Sequence, residues 1–215
     1  MLHRLFVAGG GLLALLVLAS PALAIRVHTR VEGAHTTIWG ASGPLVQPVV
    51  GTFMPPDGSE VVTTKPTPFG ALERASRRGE FYYHVTATSF GPYVDRIARL
   101  AAGGSAGWVF KVNNVSPPVG ADSFQLQAGD HVLWYWAEFG LSGGPKTLGT
   151  VRAALGCFRA VAYDDNGNRS RPRNVTFRVN GHGRVSESGR ICPSPSWQTL
   201  RATKEGMVRS GVRTH

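Results

Sequence analysis

The chain has 215 residues, a formal net charge of +10, 27 glycines and 14 prolines. Glycine and proline recur throughout and long helical periodicity is scarce, which leaves little room for a helical architecture and points to a strand-rich fold. The positive charge suits anionic surfaces such as wall polymers, phospholipid heads or nucleic acid. It is dispersed, however, densest at Arg77-Arg78, Arg169 to Arg173 and the tail from Arg201, and so gives no sign of a specific nucleic-acid site.

Residues 1–24 read as a secretory signal peptide. His3 and Arg4 make a short basic start, Leu5 to Leu18 are almost wholly apolar, Pro21 breaks any helix, and Ala22-Leu23-Ala24 is a small-x-small cleavage pattern. The alternative is an uncleaved anchor, because the apolar run nears spanning length. Cleavage leaves a chain starting near Ile25, secreted or wall-associated, with no later segment apolar enough to span.

Residues 25–48 hold a first strand, Ile25 to Glu32, and a turn-rich stretch with Trp39 as a core candidate. Val49 to Met54 and Val61 to Thr64 are extended, separated by the turn Pro55-Pro56-Asp57-Gly58. Thr67-Pro68 then opens a helix: Thr67 caps, Pro68 takes the first helical position, and Glu73 lies early in the helix. Phe69, Leu72, Ala75 and Ser76 form its apolar face, Arg77-Arg78 suit its C-terminal end, and Gly79 closes it in a left-handed conformation.

Phe81 to Thr88 is a strand of strong β-formers. Pro92 to Leu100 fits either a helical stripe or an extended run. Trp108, Phe110 and Val112 share one face of a strand, and Val109, Lys111 and Asn113 the other. Phe124 and Leu126 suggest a short strand, Gly129-Asp130 a turn, and Val132, Trp134 and Trp136 one face of a further strand.

After a Gly140 to Pro145 linker, Cys157 to Tyr163 and Val175 to Val179 alternate around the turn Asp165-Asn166-Gly167-Asn168, as in a β-hairpin. Cys157 and Cys192 are the only cysteines. In an oxidising compartment such a pair bridges, contributing about 3–4 kcal/mol on the chain-entropy account. Residues 140–200 therefore read as a β-hairpin module stapled by Cys157–Cys192, and 201–215 as a basic tail, mobile unless docked.

The order of strands and Thr-Pro-capped helix, then Gly107-Trp108, Val112-Asn113, Gly129-Asp130 and Trp134, resembles the DUF4430 family, the transcobalamin C-terminal-like domain. The resemblance covers roughly residues 49–139. The family's usual V-N-G is here Val112-Asn113-Asn114, and Asn tolerates positive φ better than most residues. The resemblance implies an α+β, β-rich fold: a β-grasp-like domain, a small mixed sheet with one helix, followed here by the disulfide-stapled β-module. It also implies kinship with the smaller domain of cobalamin carriers, which closes over one face of a corrinoid.

Trp108, Phe110, Trp134 and Trp136 present either a platform for a flat ligand or the sheet's core. Asn113, Asn114 and Gln125 offer amide hydrogen bonds to a ligand, or, for the Asn pair, turn chemistry. Asp164, Asp165, Asn166 and Asn168 lack the spacing of a calcium loop and read as a turn. No His pair has metal-ligand spacing, and no G-x-S-x-G elbow occurs.

Two expectations follow. One is a non-enzymatic exported binding module, requiring no cofactor, that holds a corrinoid-like or other small ligand, with a second protein closing the site. The other is a cell-envelope interaction protein that contacts anionic wall polymers through its basic surface.

Overall fold

The computed structural model describes residues 24–55, 57–141 and 143–215. The signal-peptide expectation lies outside the described residues, apart from Ala24. The first module contains β1 (Val27–Glu32), β2 (Thr37–Trp39), β3 (Leu45–Val46), β4 (Gly51–Phe53), β5 (Asp57–Gly58), β6 (Val61–Thr63), α1 (Pro68–Gly79), β7 (Tyr83–Thr88), β8 (Gly91–Ile97), β9 (Leu100–Ala101), β10 (Ala106–Val112) and β11 (His131–Glu138). The second contains β12 (Thr147–Arg152), β13 (Phe158–Tyr163), β14 (Arg169–Ser170), β15 (Val175–Val179), β16 (His182–Ser186), β17 (Arg190–Ile191), β18 (Thr199–Thr203) and β19 (Arg213–Thr214). The molecule is thus β-rich, with one helix among the described residues, several small sheets and one disulfide.

The main sheet runs β10-β11-β1-β2, with β3 added on β1. β1 and β11 are parallel, and β10 and β11 antiparallel. α1 packs against β1, β3 and β11. Its start follows from local chemistry: Thr67 is extended, and its Oγ1 accepts from the Gly70 N–H at 3.1 Å. Phe69, Leu72, Ala75 and Ser76 are buried as their spacing predicts.

Two details of the helix differ from the sequence reading. Glu73 sits beyond the first turn and is buried, where it accepts from the Tyr83 hydroxyl at 2.6 Å and from Arg77 Nε at 2.5 Å. The left-handed C-cap is Glu80 (φ 51°), not Gly79. Gly79 ends the helical run, and its missing side chain leaves room for the Trp39 ring, which a Cβ would strike.

Pro92 to Leu100 resolves as extended: Gly91–Ile97 forms a hairpin with β7. Phe124 and Leu126 form no strand. Leu126 is buried, and its N–H donates to the Pro66 carbonyl at 2.9 Å, so the segment is held by the start of the helix rather than by a sheet.

The second module is two facing sheets, β12-β13-β14 with β17 on β13, and β16-β15-β18-β19. The expected hairpin between Cys157–Tyr163 and Val175–Val179 does not form. The turn after β13 returns only through the two residues of β14, and β15 then crosses to the opposite sheet. Alternating patterns cannot distinguish paired strands from strands that face each other, because both bury every second residue. Here Phe158, Ala160 and Ala162 meet Val175, Phe177, Leu200 and Ala202 in one core. Cys157–Cys192 is a disulfide. The basic tail is docked, since β18 and β19 complete the second sheet.

β11 joins the modules. Val132 and Trp134 face the helix side, while Leu133, Tyr135 and Ala137 pack with Val208. Burial on both faces explains its almost uninterrupted apolar sequence.

Candidate functional site

A groove of about 670 Å³ opens between β8 and β10. β10 is the edge of the main sheet, and β8 belongs to the separate sheet β5-β7-β8-β9. The two strands pack against each other over part of their length without pairing. They stay close at one end, where the Tyr93 hydroxyl is hydrogen-bonded to the backbone of Trp108. Gly107 makes that approach possible, because a Cβ there would lie 2.6 Å from the Tyr93 oxygen. Burial and the nearby Asp95 carboxylate push the Tyr93 phenol above its ordinary range, against the opposing bond from Trp108.

Aromatic side chains from several elements converge on the groove. Phe69 comes from α1, Trp108 and Phe110 from β10, and Trp134 and Tyr135 from β11. Phe90, at the tip of the β7–β8 hairpin, is 98% exposed, and Tyr93 and Phe139 are partly exposed. Ser116, Pro117 and Asp165 wall the end next to the second module.

Of the residues singled out in the sequence, Trp108, Phe110 and Trp134 line this groove. Trp108 and Trp134 are each 2% exposed, and their indole N–H groups donate to the carbonyls of Leu100 at 2.9 Å and Pro68 at 3.1 Å. They form its floor and belong to the core; Phe110 is more open. Trp136 stacks edge-on against Trp108, with ring centroids 5.6 Å apart.

Asn113, Asn114 and Gln125 are exposed and do not line the groove. Asn113 and Asn114 are the two left-handed residues (φ 51° and 71°) of the tight turn closed by Val112 and Val115. Two successive positive φ values are the demand of a type I′ turn, and Asn meets it. The Asn113 side chain donates to Asp130 Oδ1 at 2.7 Å and accepts from the His131 N–H at 2.9 Å. Gly129 (φ 84°) completes the facing turn.

Sequence reasoning missed Phe90, Tyr93, Phe139 and Asp165. Phe90 carried a signal, as a large aromatic at a Ser-Phe-Gly-Pro turn. Asp165 carried none, because it reaches the groove from the second module.

Behind the groove, Lys111 is wholly buried. Its Nζ donates to the Asp164 carbonyl at 2.8 Å and lies 3.2 Å from Asp165 Oδ1 and 5.9 Å from the centre of the Tyr135 ring. Burial lowers its pKa, and Asp165 opposes the shift. Asp164 closes its own turn, accepting from the Asn166 and Asn168 N–H groups at 3.0 and 2.8 Å. Among the described residues, no group of three or more His, Cys, Asp or Glu is placed to hold a metal ion. Among them, too, no helix is long and apolar enough to cross a membrane.

Residues 74–138 match the family model of a domain of unknown function, DUF4430, the family that the sequence motifs resemble. The matched segment runs from within α1 to the end of β11, and so holds both strands that flank the groove. No curated protein matches the chain.

Proposed function

We propose that this is an exported, non-enzymatic binding module that holds a small ligand with a flat apolar surface, corrinoid-like or comparable, in the groove between β8 and β10. The observation that carries this reading is the convergence of Phe90, Tyr93, Phe110 and Phe139 on a concavity floored by tryptophans. The volume falls in the ordinary range for small-ligand sites, about 300–1,000 Å³. Exposed aromatics gathered at one place mark a binding surface more often than a solvated one. The helix across a sheet with a central parallel pair, β1 and β11, supports a β-grasp-like reading of the first module. The signal-like leader and the disulfide support export. An open groove covers only part of a large ligand, so a second protein closing the other side would raise affinity.

The test is titration of the purified protein with cobalamin and cobinamide, read by tryptophan emission and the corrin visible spectrum. Saturable quenching that is lost in Phe90→Ala and Phe110→Ala is expected. Both variants spare the buried tryptophans, whose truncation would cost about 3–5 kcal/mol of stability. An unchanged emission with both corrinoids at high micromolar concentration would count against a corrinoid; quenching that survives both substitutions would count against this groove.

A second reading is favoured by Arg169, Arg171 and Arg173, which are all exposed on one stretch beside β14. It is an envelope protein that contacts anionic polymers there. Wall association that weakens steeply with salt would support it, whereas apolar ligand binding is nearly indifferent to salt.

A further inference from the structure

The net charge of the molecule belongs almost wholly to its second module. Residues 146–215 carry 13 of the 23 lysines and arginines but only 4 of the 13 aspartates and glutamates, so nine of the ten net positive charges lie there. Part of this charge gathers around the turn that leads from β16, which carries Arg184, to β17, which carries Arg190. Gly189 in that turn lies against the Pro172 carbonyl, which a Cβ would strike, and the contact brings Arg171 and Arg173 to the same place. Arg190 stands directly opposite Arg159 of β13, a like-charge pair that costs stability in a sheet. Arg190 Nη2 donates to the Ala154 carbonyl at 3.2 Å. Arg171, Arg173 and Arg184 are exposed and make no hydrogen bond or ion pair among the described residues. Glu187 is the acidic residue of the turn and is also exposed.

β16 is an open edge that pairs with β15 alone. The Asn180 N–H donates to the Thr199 carbonyl at 2.9 Å on the β18 side, so Val179, Phe177 and Val175 turn their backbone groups the other way, to β16. Their register partners His182, Arg184 and Ser186 bond inward, and the N–H and C=O of Gly183 and Val185 point off the edge. Asn180 and Gly181, both with positive φ, form the two-residue turn that this pattern requires. No described backbone group bonds the outward ones. Val185 is 72% exposed, and His182 to Arg184 are exposed beside it. Ser186 Oγ holds β17 to β16, accepting from the Arg190 N–H at 3.0 Å and donating to its carbonyl at 2.6 Å. A cleft of about 190 Å³ lies where the two strands meet, lined by Arg184, Val185, Ser186, Arg190, Ile191 and Cys192. It is smaller than small-ligand sites, which run to about 300–1,000 Å³, and suits a single side chain.

We infer that β16 takes up an acidic, extended peptide segment of a partner protein as a further strand of its sheet. Backbone hydrogen bonds to Gly183 and Val185 hold the segment. The residue opposite Arg184 has its side chain on the same face as Arg184, beside the cleft, so Glu or Asp there meets the cationic group. The residue opposite Val185 lies on the other face, where a β-branched side chain covers the exposed valine. An anionic polymer without amides would use the arginines and leave the edge unpaired. A second copy of this chain would bring one strongly positive module against another. An acidic peptide meets both the charge and the free backbone.

The experiment uses the purified, nitrogen-15-labelled protein and blocked six-residue peptides that alternate Val or Thr with Glu, with Gln or with Lys. Binding is read from the Gly183 and Val185 amide resonances and their hydrogen exchange. The Glu series is expected to shift and protect both amides, the Gln series to bind about tenfold more weakly, and the Lys series not to bind. N-methylation of every second residue should abolish protection in one phase and spare it in the other, because only one set of amides faces the edge. Arg184→Gln should remove most of the preference for Glu over Gln. Val185→Pro, at a position whose N–H the sheet does not use, should keep the fold and lose the peptide.

Absence of shifts with the Glu series at millimolar concentration overturns the inference. Equal binding of both N-methylated phases does so too, since charge alone would then hold the peptide. Inorganic polyphosphate that protects the same amides would assign the edge to a polyanion, and shifts that grow with protein concentration without peptide would assign it to a second copy; either overturns the inference. If Val185→Pro does not fold, the N-methylated phases carry the test. Corrinoid titration of the groove between β8 and β10 bears on none of these results, so the edge and the groove stand or fall separately.

Discussion

Single residues at this groove do work that their types alone do not announce. Gly107 is needed not for its φ but for the Tyr93 oxygen that takes the place of its side chain. Lys111 alternates with its neighbours as a solvent-facing residue should, yet the second module covers it completely. Its lowered pKa gives a prediction with a definite sign. Between the depressed folded value and the ordinary 10.5, the unfolded chain binds more protons than the folded one, so this residue makes stability rise with pH across that window. The buried tyrosines Tyr83 and Tyr135 are shifted up, mainly by burial, and act oppositely above pH 10, so the wild-type curve alone is ambiguous. Denaturant unfolding of the wild type and of Lys111→Met, compared between neutral pH and the lysine range, isolates the effect. The stability advantage of Met over Lys should shrink as pH rises; a constant difference would mean that Lys111 keeps its ordinary titration.

At the scale of elements, what local chemistry determines was readable and what partners determine was not. Thr67, Pro68 and the apolar face fixed α1 before any tertiary contact was known. The turn at Val112 to Val115 was readable only in part, since two adjacent Asn residues suit two adjacent positive φ values but read equally as amide contacts to a ligand. By contrast, β13 and β15 alternate in the way a hairpin does, and only long-range packing assigns them to different sheets. The aromatics of the floor were visible, but the groove itself was not. It arises where β8 and β10, which belong to different sheets, meet without pairing, and no residue pattern encodes that meeting. Glu73 was misplaced because a carboxylate near a helix start is usually solvated, whereas Tyr83 and Arg77 both reach it here. The cap offers a direct check: Thr67→Ala should cost about 1–2 kcal/mol in urea unfolding, with the helix still formed in the folded state. A change of a few tenths or less would show that packing on β1 and β11 holds the helix without the cap.

Across the whole molecule, the two modules are fastened around one buried carboxylate. Glu32, at the end of β1, is fully buried and lies within ion-pair distance of Arg30, Arg201 and Arg209. Thr37 Oγ1 also donates to it, at 2.9 Å. Arg201 lies on β18 and Arg209 just beyond it, so the tail, expected to be mobile unless docked, is docked and clamps the first strand. Arg209 donates to the Gly33 and Ala34 carbonyls at 2.8 and 2.7 Å, and Arg30 returns a bond to the Arg209 carbonyl at 2.9 Å. Burial lowers the pKa of Arg30 and Arg201, and Glu32 is the principal influence holding them charged. Three guanidinium groups around one carboxylate repel one another once it is neutralised. Glu32→Gln should therefore cost about 3–5 kcal/mol, as breaking a buried ion pair from one side does. Arg201→Gln should cost less, because two arginines still face Glu32 and one repulsion is removed. The decisive measurement is the shape of thermal unfolding as well as its midpoint. If Glu32 fastens the modules, its loss splits a single transition into two. The second module, stapled by Cys157–Cys192, then melts apart from the first, and a reducing agent moves only its transition. A Glu32→Gln protein that still melts in one step near the wild-type midpoint would place the coupling in the Leu133–Tyr135–Val208 contact instead.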